Sequence, residues 1–118
     1  MARKDIYDVL VKVARKKDRI SYGDLSAALH DHPDPHRGLS QHLDDLNMVC
    51  NSADLPPISA LVVQKGSDGE LGQPGPGFCK CPAVQPRPKG DMERLVRWTE
   101  YLKAIHETDW PPTLPELA

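Results

Sequence analysis

The sequence predicts an α+β fold, mainly α: a winged helix-turn-helix-like three-helix unit with a short β-hairpin, a long Pro/Gly loop and a C-terminal helix. Three observations predict it. Apolar residues recur at helical spacing through the first 52 residues, broken by turn residues between the segments. One β-branched run, residues 58–65, follows a proline pair. A further helical pattern comes after a stretch dense in Gly and Pro. A chain of 118 residues fits a single domain, 1–118, with one buried core.

The first helix is expected over about residues 3–16, where Ile6, Val9, Leu10 and Val13 form one stripe. Lys12, Arg15, Lys16 and Lys17 gather at its C-terminal end. There they complement the helix dipole, or alternatively form a phosphate-contacting patch. Ser21 caps a second helix from Tyr22 to about His30, with Asp24 closing a short capping box over buried Leu25, Ala28 and Leu29. Pro33 and Pro35 then break the chain.

A third helix is expected from His36 to Ser52, with Leu39, Leu43, Leu46, Val49 and Cys50 on its inner face. Cys50 reads as a small core residue. Ile58–Lys65 is the best strand, forming a hairpin or wing with a partner after the Asp68-Gly69 turn or near Arg19–Ser21. Nine of the 19 residues from Gly72 to Gly90 are Gly or Pro, so 72–90 is a long loop anchored by Phe78. The C-terminal helix, 91–106, starts at a capping Asp91. Leu95, Val96, Thr99, Leu102 and Ile105 form its stripe, Met92 and Trp98 flank it, and Trp110 folds back on the core.

Composition narrows the function classes. At 39% hydrophobic and 27% charged, with no long apolar run, the chain is neither a disordered tail nor a membrane span. The odd number of cysteines, three, argues against a disulfide framework and for a reducing cytoplasm; the first ten residues do not form a secretory signal. A net charge of −2 speaks against general nucleic-acid affinity, and a single Phe against a stacking platform for single strands. Charge is uneven: residues 1–20 carry seven Lys/Arg against three Asp, and residues 21–60 one Arg against six Asp.

The stretch Ile20-Ser21-Tyr22-Gly23-Asp24-Leu25-Ser26-Ala27-Ala28-Leu29, with Arg37-Gly38-Leu39 and Asn47, resembles the winged-helix domain of the DNA O6-alkylguanine alkyltransferases and their alkyltransferase-like relatives. The resemblance covers about residues 18–66. It implies that Tyr22 opens the first helix of a helix-turn-helix, and that Arg37 heads the second and enters the duplex as a base is flipped. The family's reactive Pro-Cys-His-Arg motif is absent. Leu55-Pro56-Pro57-Ile58-Ser59-Ala60-Leu61 stands there instead, so alkyl-accepting chemistry is not implied. The series Ser21-Tyr22-Gly23, Arg37-Gly38, Leu55-Pro56-Pro57, Ala60–Val63 and Pro74–Phe78 also resembles small bacterial domains of phage-defence and nuclease neighbourhoods.

Other motifs carry less. His30, His32, His36 and His42 lie close together with Asp31 and Asp34, but the two prolines between His32 and His36 spoil helical alignment, and a solvated turn accounts for them. Cys79-Lys80-Cys81 lacks the spacing of a zinc or redox pair. Gly72–Gly77 contains two prolines, which remove donors a phosphate cradle needs. No metal or cofactor is expected, and no catalytic residue.

The leading expectation is a non-enzymatic module contacting double-stranded DNA, weakly, or nucleic-acid-processing machinery in a bacterial or phage setting. Its contact residues are Tyr22, Arg37, Arg19, Lys16, Lys17 and Ser21. The alternative is a protein-interaction or regulatory module of the same fold using the acidic helix 36–52, where Asp44 and Asp45 repel phosphate. A metal-dependent enzyme built on the His/Cys positions is the third.

Overall fold

The computed structural model describes residues 2–34, 38–66, 69–74, 78 and 90–117. Element order is α1 (Lys4–Arg15), β1 (Ile20–Ser21), α2 (Tyr22–Ala28), α3 (Gly38–Ser52), a 3-10 turn (Ile58–Leu61), β2 (Val62–Val63) and α4 (Asp91–Glu107). The architecture is α+β and mainly α, with β1 and β2 pairing in parallel, Ile20 beside Val62 and Ser21 beside Val63.

α1 forms where expected, but its inner face is rotated by about one position. Ile6, Tyr7, Leu10, Val11 and Ala14 are buried, while Val9 and Val13 lie half-buried at the margin. Tyr7 draws the helix round. Its ring meets Trp110 edge-on at 6.3 Å, and its hydroxyl donates to the Pro111 carbonyl at 2.5 Å.

α2 begins at the expected cap: Ser21 Oγ accepts the Asp24 N–H at 3.0 Å. The helix stops at Ala28, short of His30, because Leu29 turns extended. Leu25 and Leu29 are buried as expected. Ala28 is exposed and Ser26 takes the inner position, its hydroxyl donating to the Pro33 carbonyl.

The expected strand 58–65 is corrected to a 3-10 turn followed by the two-residue β2. After Pro57, local bonds satisfy the backbone: the Ala60 N–H donates to the Pro57 carbonyl and the Ser59 N–H to the Asn47 side chain. With Ile58 to Val63 all buried, the segment runs through the core. Of the two expected partners, the one near Arg19–Ser21 forms the pair, as β1 beside β2. Beyond β2 the described residues show an isolated antiparallel bridge, Lys65 to Leu71, with the Gln64 N–H donating to the Gln73 carbonyl, the Gly72 N–H to the Gln64 carbonyl and the Gly66 N–H to the Glu70 carbonyl.

The 3-10 turn is the hub on which α1, α3 and α4 pack. α4 corrects another expectation. Its inner face is Trp98, Tyr101, Leu102 and Ile105, at i, i+3, i+4 and i+7, with Trp98 and Ile105 buried. Met92, Leu95 and Val96 face solvent at 73%, 39% and 50% exposure. The rings decide the face: Trp98 donates its indole N–H to the Ala60 carbonyl at 2.8 Å, and Tyr101 meets buried Phe78 edge-on at 6.0 Å. Gly90, not Asp91, occupies the position preceding α4. Trp110 is buried as expected and donates to the Ile105 carbonyl. Apart from Phe78 and the ends, most of the 72–90 loop lies outside the described residues. Among the described residues, no helix is long and apolar enough to cross a membrane.

Candidate nucleic-acid interface

Charge divides along α1. At its start every cation is paired. Arg3 grips Asp5 (2.6 Å) and Asp31 (2.8 Å), and Lys4 reaches Asp8 at 2.9 Å. The Arg3 guanidinium holds the Asp5 and Asp31 carboxyls below the usual carboxylate range. At the other end Lys12, Arg15, Lys16 and Lys17 are exposed, and no carboxylate among the described residues pairs with them.

The turn out of α1 is a Schellman motif. The Lys17 N–H donates to the Ala14 carbonyl at 3.0 Å and the Asp18 N–H to the Val13 carbonyl at 3.1 Å. Its left-handed position, φ 55°, is held by Lys17, where glycine is the residue that fits without strain. The matching turn after α3 places Asp54 at φ 59°, a residue type that tolerates this region better.

Arg19 follows, half-buried. Its guanidinium lies 5.9 Å from the centre of the Trp98 ring and donates to the Gly72 carbonyl at 3.3 Å. Arg15 donates to the Trp110 carbonyl at 3.3 Å, and His106 Nε2 lies 3.2 Å from the Asp18 carbonyl. The C-terminal edge of α1 is therefore seated on α4. Asp18 is the one carboxylate within the 12–19 run. It accepts the Arg19 backbone N–H at 2.8 Å.

The expected contact residues fare differently. Lys16, Lys17 and, after Asp18, Arg19 lie around the turn, and Tyr22 opens α2 three residues after Arg19, half-buried against the core. Ser21 is buried with its hydroxyl engaged in the cap. Arg37 lies outside the described residues, as do His36, Cys79 and Cys81. Among the described residues, no three His, Cys, Asp or Glu side chains are grouped to hold a metal ion.

Two features escaped the sequence reading. Lys17's left-handed backbone has no signal in a Lys-Lys-Asp run. Asn47 stood in the sequence only among the residues of the alkyltransferase resemblance, which gives no sign of its buried bonds. Its amide donates to Ser59 Oγ at 2.7 Å and accepts the Ser59 N–H at 3.1 Å, fixing the 3-10 turn to α3. Burial pushes the Cys50 thiol up to about 11, the state of an inert core thiol. The chain matches no known protein family, no curated protein and no solved structure.

Proposed function

We propose that this chain is a non-enzymatic, winged-helix-like module that contacts duplex DNA. One observation carries the reading: exposed Lys12, Arg15, Lys16 and Lys17, with no carboxylate partner among the described residues, lead directly into Arg19 and the Tyr22 start of α2. The order of helix, short strand, helix and helix supports the winged-helix comparison, although β1 and β2 pair in parallel. The alkyltransferase resemblance adds Arg37, which precedes Gly38 in the sequence, as a further contact residue.

Few cations are available, so about 3–5 phosphates are neutralised, and the slope of log K against log salt is about −3 to −4. Affinity for ordinary duplex is about 10⁻⁴–10⁻⁶ M. Binding of a labelled duplex by fluorescence anisotropy at two salt concentrations tests this. Replacing Arg37 by Ala is expected to flatten the slope by about one unit, and replacing Lys65 or Lys80 to do less. No binding at about 50 mM salt removes the reading.

A second reading, a protein-interaction module, is favoured by a different surface from the acidic helix first expected. Met92, Leu95 and Val96 form an exposed stripe at i, i+3 and i+4 on α4, the spacing by which an amphipathic helix enters a partner's groove. Loss of partner capture on Leu95→Asp, with DNA binding unchanged, supports it.

A further inference from the structure

The distribution of charge carries an inference about how such a contact is made. It rests on the DNA reading above. Among the described residues from 38 to 66, which include all of α3, the single cation is Lys65. α3 carries Asp44 and Asp45 instead. Two of its three amides are committed, Gln41 donating to Asp45 at 3.1 Å and Asn47 buried on Ser59, while Asn51 is exposed in its last turn. A helix that reads bases needs Arg, Lys, Asn or Gln free to reach base edges, and carboxylates facing a groove repel the phosphates on either side.

The α1 edge has the opposite character. Lys12 and Lys16 share a face at i, i+4, and Lys17 and Arg19 extend it round the turn. Lys17 carries its charge at φ 55°, a left-handed position that His32, Asp54 and Glu116 share among the described non-glycine residues. Arg19 is pre-set by Trp98 and the Gly72 carbonyl, so its guanidinium needs little ordering to meet an anion.

We propose that the chain grips the phosphate backbone of duplex DNA along this edge, through Lys12, Lys16, Lys17 and Arg19, and that α3 reads no bases. The partner is duplex DNA of any sequence, recognised by charge and shape alone.

The test uses the full chain and labelled duplexes of about 20 base pairs differing in sequence, at about 50 mM salt. Affinities are expected to agree within about threefold across sequences. Lys16→Glu with Lys17→Glu is expected to weaken binding at least about tenfold, and Asp44→Asn with Asp45→Asn to leave it equal or tighter. Lys17→Gly separates strain from charge: its melting midpoint rises while its affinity falls about threefold. A sequence bound tenfold or more tightly than the rest, or loss of binding on Ser40→Ala or Gln41→Ala, overturns this mode but leaves the DNA reading standing. Undiminished binding by the double Glu variant also overturns it. Binding to phosphatidylserine vesicles but to no duplex overturns both.

Discussion

Replacing Asn47 by Ala tests the reasoning about the core most sharply. Asn47 is 0% exposed, and its amide makes two bonds to Ser59, one with the hydroxyl and one with the backbone N–H. Alanine leaves the buried Ser59 N–H without its acceptor. An orphaned buried donor costs about 1–3 kcal/mol, and the vacated amide volume adds to it. The loss is therefore about 2–4 kcal/mol, a large share of the ~5–15 kcal/mol typical of a domain. It is read as a shift in the urea midpoint at constant slope. Ser59→Ala removes the hydroxyl bond but keeps the N–H acceptor, and is expected to cost about 1–2 kcal/mol. The double variant closes a cycle with a coupling of about 0.5–3 kcal/mol. A loss below about 1 kcal/mol for Asn47→Ala refutes the claim that this amide fixes the 3-10 turn to α3.

Three further outcomes follow from side-chain environments. Burial pushes the Tyr7 phenol up to about 12, so its ultraviolet titration lags that of an ordinary tyrosine. The folded state holds this proton more tightly, so the stability it contributes is full below about pH 10 and is lost as pH rises through about 12; Tyr7→Phe removes that alkaline loss. Phe78→Ala, which empties the contact with Tyr101, is expected to cost about 3–5 kcal/mol in a denaturant melt. At pH 8 the buried Cys50 resists an aromatic disulfide reagent in the native state and reacts in denaturant; equal rates in both states refute its burial.

Much of the fold was legible because local chemistry and tertiary packing agree. Ser21 has a capping hydroxyl, a following donor at Asp24 and a leucine stripe behind it, and it caps as read. α3 carries leucines at strict helical spacing, and they are buried. The failures share one cause, competition decided by distant partners. On α4, two apolar stripes overlap, and periodicity alone does not choose between Leu95–Val96 and Trp98–Tyr101. The Ala60 carbonyl chooses, by accepting the Trp98 indole N–H. The run 58–65 looks like a strand by composition, but a side chain from α3 takes the Ser59 N–H that a ladder needs. At the candidate interface, the basic run at the C-terminal end of α1 was legible in the sequence, and the pairing of the cations at its start was not. Only the fold brings Asp31 to Arg3, while no carboxylate among the described residues reaches Lys16 or Lys17.

The strap that closes over α1 bears on how the chain reaches this state. Tyr7 bonds Pro111 across 104 positions, and Ala2 pairs alongside Leu117. A closure of that length costs roughly 4 kcal/mol of chain entropy before its contacts form. During synthesis, α1 emerges with Ile6, Tyr7, Leu10 and Val11 uncovered, and Ile105, Trp110 and Leu114 follow about a hundred residues later. At ribosomal speeds of about 5–20 residues per second, that greasy face waits several seconds for its cover. Joining residues 2 and 117 by a short linker and reopening the chain at the exposed Gly69 turn would remove the wait.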